Sequence, residues 1–154
     1  MEGEGTVVVV QDVTERRNAQ REINRIARTD TVTDLPNRRF FEAQLARALD
    51  PDDPLRQEIT VLFLDLDDFK QVNDSLGHRR GDKLLILIAQ RLHALVGPAD
   101  LVARWGGDEF TILIRGPFDH EQTGRLAERI IREVRRPAII DGYEVVVGVS
   151  VGSA

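Results

Sequence analysis

Residues 101–114 read LVARWGGDEFTILI, two glycines running straight into two acids between apolar stretches. Glycine takes positive φ without a Cβ clash, and tight two-residue turns require that, so the pattern predicts a hairpin with LVAR as one strand and FTILI as the other. Asp108 and Glu109 then admit two readings. They are solvated turn residues, or they are carboxylates placed for chemistry, and a turn signal alone does not separate the two.

A partner for that hairpin stands at residues 58–67, EITVLFLDLD, nearly continuous in apolar and β-branched residues from Ile59 to Leu64. This is the pattern of a strand buried on both faces. It ends in acids: Asp65, Asp67 and Asp68. Strand alternation points Asp65 and Asp67 the same way if the strand continues through Asp67. Should the hairpin from Val102 to Ile114 pair beside this strand, Asp108 and Glu109 approach Asp65. Three crowded carboxylates raise one another's pKa unless a divalent cation neutralises them. Hard oxygen ligands favour Mg²⁺ or Mn²⁺, and magnesium keeps some water and shares its sphere with substrate phosphates. Such a site suits phosphoryl or nucleotidyl transfer. The glycines gain a second use there, letting backbone approach a nucleotide closely.

Between the two acidic ends, Lys70 either contacts phosphate or sits in solvent. Asn73 and Asp82 match the donor and acceptor edge of guanine, but both residue types are also common in turns and at helix starts. The three histidines, His78, His93 and His120, do not form a metal-ligand spacing; His93 reads as a helix-surface residue and His120 as a loop or helix start.

Around these motifs the chain alternates helix and strand signals. GTVVVVQDV at residues 5–13 is a β-branched run, and Thr14 is an N-cap candidate for the charged stretch 14–29, where Ala19, Ile23 and Ile26 follow spacings of four and three. A strand at a chain start with nothing local to pair with reads as the end of another domain, and the helix after it as a connector. RRFFEAQLARAL predicts a helix with Phe41, Leu45, Ala48 and Leu49 on one face, ended by PDDP. Further helices are expected over Asp82 to Val96, with Leu85, Ile88, Leu92 and Leu95, and over Glu121 to Arg135, with Leu126, Ala127, Ile130, Ile131 and Val134. Asp141-Gly142 between β-branched runs predicts a second hairpin. The element order implies an α/β (α+β) arrangement, with helices covering one face of a mostly antiparallel sheet.

Composition bounds the function. At 154 residues and 42% apolar the chain has the length and core of about one domain. Its net charge of −5, from 26 acids against 21 bases, argues against a protein that coats nucleic acid. Cysteine is absent, which excludes disulfides and Cys-ligated zinc. No apolar run reaches the ~18 residues of a membrane span, and MEGEG lacks the order of a signal peptide, so a cytoplasmic location is expected.

Three blocks together carry a resemblance: DTVTDLPNRRFF at 30–41, LDLDDFKQVNDSLGHRRGD at 64–82 and RWGGDEF at 104–110. In order, spacing and content they resemble the GGDEF family, the diguanylate cyclases that condense two GTP into cyclic di-GMP and two pyrophosphates. The resemblance runs from about Asp30 to the C-terminus. It implies a core like the palm of nucleotide cyclases and polymerases, with Mg²⁺ or Mn²⁺ held by Asp65, the carbonyl of Leu66 and Asp108. Glu109 corresponds to the acid that assists deprotonation of the ribose 3′-hydroxyl, a position for which a metal-binding role is also argued. Phe69 and Lys70 resemble the phosphate-contacting pair, Asn73 and Asp82 the guanine readers, and Gly106 and Gly107 the turn against the nucleotide. Each site would hold one GTP, so cyclisation implies a homodimer.

The same resemblance sets the domain boundaries at 1–13 for the last strand of a PAS-type sensor domain, 14–29 for a helical signalling linker and 30–154 for a GGDEF domain lacking its C-terminal part. Family members continue into a helix that supplies Lys and Arg to the triphosphate, and some into a phosphodiesterase domain. Two departures stand out. Where relatives often carry RxxD for product inhibition, this chain has Gly97, Pro98, Ala99 and Asp100, without the arginine. Asp34 replaces a common glycine and Val32 a common leucine, changes expected to be tolerated. A catalytically inactive GTP-binding regulatory or interaction module is the alternative reading, against which stand the retained acids Asp65, Asp108 and Glu109.

Overall fold

The computed structural model describes residues 25–53 and 58–154. The strand expected over 1–13, and the linker helix up to residue 24, lie outside the described residues; residues 25–28 are helical. In chain order follow α1 (Arg38–Leu49), β1 (Ile59–Asp67), α2 (Phe69–Leu76), α3 (His78–His93), β2 (Leu101–Gly106), β3 (Glu109–Arg115), α4 (His120–Val134), β4 (Ala138–Ile140), β5 (Tyr143–Val145) and β6 (Gly148–Ser153). Four strands form one antiparallel sheet in the order β2-β3-β1-β6. β4 and β5 make a separate hairpin turned by Asp141 and Gly142, both at positive φ, as Asp-Gly requires of a two-residue turn.

One face of the sheet carries Leu62, Leu64 and Leu66 of β1 and Phe110, Ile112 and Ile114 of β3. These pack on Leu84, Leu85, Ile88 and Leu92 of α3 and on Leu126, Ile130 and Val134 of α4. Burying this many Leu, Ile, Val and Phe side chains, at roughly 1.5–3 kcal/mol each, dominates what holds the domain together. The opposite face is also covered, contrary to the one-sided arrangement expected from element order. There α1 lays Phe41 over Val61, Ala103 and Leu113 in a smaller cluster. Asn37 starts α1 by accepting from the Phe40 N–H at 3.0 Å.

α1 is short, and it covers only the early half of β1. Val61 is therefore buried while Phe63, two residues on, is 44% exposed. The two-faced burial expected for Ile59 to Leu64 fails at this point, and the open half of the face is the half that ends in acids. Leu49, expected on the packed face of α1, is exposed instead, as the last residue of its helix.

α2 has no counterpart in the sequence reading, because eight residues are too few to display an apolar repeat. Gly77, at φ 82, separates it from α3. α3 begins at His78 rather than Asp82 and ends at His93 rather than Val96. Its first turn is polar, so apolar periodicity first registers at Leu84.

Candidate active site

β1 and β3 pair in antiparallel register, which sets Asp65 directly opposite Glu109. The next backbone link runs from the Leu66 N–H to the Asp108 carbonyl at 3.2 Å. The turn between the hairpin strands is Gly107-Asp108, with Gly106 closing β2 and Glu109 opening β3. Gly107 sits at φ 53, a left-handed conformation that favours glycine. The expected hairpin is therefore present, with Glu109 paired in the sheet rather than in the turn.

Burial first, then the charges of Asp108 and Asp67, push the Asp65 carboxyl above its ordinary range. Asp67 thus joins the crowd in which the sequence reading had Glu109. Asp67 is itself held by β6: Ser150 Oγ donates to Asp67 Oδ1 at 2.8 Å, and a Cβ at Gly148 would lie 2.3 Å from Asp67 Oδ2. Neither Ser150 nor Gly148 stands out in the sequence, since the partners lie 83 residues apart.

A depression of about 350 Å³ opens over this half of the sheet, lined by Phe63, Asp65, Trp105, Glu109 and Ser150 among others. Trp105 stands edge-on to Phe63 at 5.7 Å and to Phe41 at 5.9 Å, with the Arg38 guanidinium over its ring at 4.4 Å. These contacts give the depression a firm aromatic wall.

Beyond Asp67 the chain turns sharply at Asp68, a left-handed residue at φ 59, and enters α2. The Asp68 side chain makes no capping bond to the helix, so the first N–H groups of α2, including those of Phe69 and Lys70, face outward without a side-chain cap. The Phe69 ring is buried in the core, which leaves only its backbone for a ligand, while Lys70 is exposed. Asn73, on α2, lies against α3 at Gly81, where an added Cβ would stand 1.9 Å from Asn73 Oδ1. Asp82 is exposed on α3 immediately after Gly81. The close approach permitted by Gly81 is what brings Asn73 beside the helix that carries Asp82.

Among the described residues no three His, Cys, Asp or Glu side chains form a metal cage of their own. Two carboxylates, Asp65 and Asp108, with neighbouring backbone oxygen are nevertheless a fitting donor set for magnesium, which retains water and uses only one or two carboxylates beside phosphates. Desolvation first, and then the charges of Asp108 and Asp67, disfavour a bare Asp65 carboxylate, which makes a cation favourable there. His78 and His93 are exposed at the two ends of α3, and His120 starts α4.

Asp100, the remnant of the RxxD pattern, has both oxygens engaged. Oδ2 accepts from the Gly97 N–H at 2.8 Å and Oδ1 from the Arg115 N–H at 3.0 Å. It ties the entry of β2 to the end of β3.

The family model for "Diguanylate cyclase, GGDEF domain" matches residues 27–154. This chain belongs to the GGDEF family. The GGDEF domain is similar to the signaling protein YkoW of Bacillus subtilis, 40% identical over 96% of this chain and 18% of the relative. It is also similar to the diguanylate cyclase TpbB of Pseudomonas aeruginosa, 42% identical over 83% of this chain and 30% of the relative. The chain thus spans less than a third of the length of these two relatives. Among solved structures, the coiled coil and GGDEF domain of DgcB from Caulobacter crescentus, in complex with c-di-GMP, superposes with a TM-score of 0.81 at 28% identity. The match covers 92% of this chain and 76% of that one. These GGDEF structures share the antiparallel sheet flanked by helices. Among the described residues no helix is long and apolar enough to cross a membrane.

Two residues that sequence reasoning assigned no role, Asp30 and Arg104, meet beside the GGDEF turn. Arg104 Nη1 donates to Asp30 Oδ1 at 2.9 Å, with both side chains largely buried. Both lie inside the quoted motif blocks, but nothing in their spacing foretells a pairing across 74 residues.

Proposed function

We propose that this domain is the catalytic half-site of a diguanylate cyclase, holding one GTP and condensing it with a second GTP held by another copy. The observation that carries the reading is the β1–β3 register, which sets Glu109 opposite Asp65 with Asp108 one residue away at the turn. In the reaction the ribose 3′-oxygen of each GTP attacks the α-phosphorus of the other. Two P–O bonds form, two pyrophosphates leave, and each 3′-hydroxyl gives up its proton. Glu109 is exposed, lines the depression and accepts that proton as general base. A Mg²⁺ or Mn²⁺ ion held by Asp65, the Leu66 carbonyl and Asp108 supplies neutralising charge for the phosphates and the leaving pyrophosphate.

The remaining residues bind and orient. The uncapped N–H groups of Phe69 and Lys70 at the start of α2 and the Lys70 ammonium attract phosphate. Asn73 donates to guanine, Asp82 accepts from it, and Gly106 and Gly107 leave room for the nucleotide against the turn. Because one domain supplies one nucleotide, the working species is a homodimer. An upstream PAS-type sensor and a cytoplasmic location, where GTP is available, complete the proposal; downstream, the parent either ends with the next helix or runs on into a phosphodiesterase domain.

Incubating the full-length protein with GTP and Mg²⁺ or Mn²⁺, with chromatography of the products, tests it. The expected result is cyclic di-GMP from the native protein and loss of turnover by about 10²–10⁴-fold in Glu109→Gln, with GTP binding retained in calorimetry. GTP binding without product in the native protein would instead establish the inactive regulatory module.

A further inference from the structure

The signature turn is exposed and contains a glycine at positive φ, and it presents Asp108 and Glu109 beside Asp65 of β1. Leu66 fixes it from one side through the backbone contact to Asp108. From the other side comes one side chain. Arg104 directs Nε and Nη2 to the carbonyl of Gly107, at 3.0 and 2.7 Å, while Nη1 holds Asp30. Among the described residues Arg104 is the side chain that hydrogen-bonds the backbone of the turn. A planar guanidinium can grip one carbonyl with two donors and a carboxylate with a third; an ammonium cannot reproduce that fork.

Asp30 is in turn fixed from several sides. Its Oδ1 accepts from the Thr33 N–H at 2.9 Å, the Thr33 hydroxyl at 2.8 Å and the Val32 N–H at 3.2 Å. The loop around it closes on itself, with Asp30 N–H donating to the Leu35 carbonyl at 2.7 Å and Asn37 N–H to the Arg28 carbonyl at 2.8 Å. The Arg104 N–H donates to the Pro36 carbonyl at 3.0 Å. The loop that leaves the helical residues 25–28 thus grips Arg104 by both backbone and side chain.

We infer that Arg104 is a positioning residue for Asp108 and Glu109, and that Asp30 sets it, so that the segment entering the domain orients the reactive turn through one ion pair. The inference rests on the diguanylate cyclase reading for its kinetic consequence, but not for its structural one. Neither residue touches the reacting atoms; both act through the Gly107 carbonyl.

The test uses the full-length protein with Arg104→Lys, Asp30→Asn and the double variant. Two readouts are needed: GTP turnover, and amide hydrogen exchange at Gly106 to Glu109 compared with Leu62 to Leu64 in the core. Each single variant is expected to lower kcat by about 10–100-fold, the range of a small misplacement of catalytic groups, with KM for GTP within about threefold. Exchange at the turn should rise well beyond the rise in β1, where exchange follows only the pair's contribution to global stability. The double variant should be no worse than the poorer single one, because both remove the same constraint. Unchanged turn exchange in both variants would overturn the inference. So would an equal rise at the turn and throughout β1, which would mark the pair as a support of global stability only. If the native protein forms no cyclic di-GMP yet turn exchange still rises selectively, the positioning role stands and the cyclase reading fails.

Discussion

Gly81 illustrates how a single missing Cβ lets α3 approach Asn73, a residue of the proposed nucleotide site. The Asn73 amide occupies the space a side chain would fill, and it can leave only by swinging away from α3. Alanine is also the better helix former by about 1 kcal/mol, which offsets crowding of the buried Phe69 ring, whose Cζ would stand 3.3 Å from the added Cβ. Gly81→Ala is expected to leave Tm nearly unchanged while KM for GTP rises about 5–10-fold, the worth of one hydrogen bond. Steady-state kinetics beside thermal melting checks both halves; a lowered Tm with unaltered KM would remove Asn73 from nucleotide recognition. A second residue-scale feature is Asp34, at φ 58, where glycine is common in the resembling sequences. Aspartate is among the few residues that visit this region with modest penalty, and its carboxylate meets Arg25 at 2.8 Å. The expectation that the replacement is tolerated thus has a conformational basis.

At the scale of elements, α4 ends with its last carbonyls supported by a side chain of the neighbouring helix. Arg91 Nη1 donates to the carbonyls of Glu133, Val134 and Arg136, at 3.1, 3.3 and 2.6 Å, and Nη2 to that of Pro137 at 3.0 Å. Burial, followed by the charge of Arg136, lowers the Arg91 pKa while Glu133 opposes the change, and the guanidinium remains charged across the ordinary pH range. Arg91→Met keeps the aliphatic stem and removes the donors. It should destabilise the domain by about 1.5–3 kcal/mol, as loss of hydrogen bonds to a charged group does, read as a lower urea midpoint with unchanged slope. The other end of α4 is closed locally, by a capping box between Asp119 and Gln122. Only the second device could be read from neighbouring residues, since Arg91 lies more than forty positions from its acceptors.

For the whole molecule, the Asp30–Arg104 pair links the loop at residues 28–37 to the sheet, and its titration should be visible in global stability. Burial, the largest single influence, pushes Asp30 up, but the hydrogen bonds from Arg104 and Thr33 and the Arg104 charge together hold it below its ordinary 3.8. A carboxyl depressed on folding contributes stability that is complete above the unfolded value and disappears as pH falls through the folded one. Thermal melts of the native domain and Asp30→Asn from pH 7 to pH 2.5 should therefore differ most at neutral pH and converge below about pH 4. Curves that stay parallel over that range would show that the Asp30 charge contributes nothing to folding.

Much of this molecule is legible along the chain. Among the described residues, apolar runs and Gly-containing turns announce the two hairpins, the helices α1, α3 and α4 and the acids at the end of β1, because strand alternation, helical spacing and turn chemistry act over a few residues. Features that depend on length fall short: α2 is too brief for periodicity, and the polar first turn of α3 hides its start. What only tertiary structure decided is which distant residues share a place. Glu109 stands opposite Asp65, Asp67 is held by Ser150, and Arg104 reaches Asp30, because the sheet register and the packing of α1 bring these separated segments together. No local propensity encodes such pairings. They arise when the core closes, and the half of β1 that α1 leaves uncovered is where the acids come to lie.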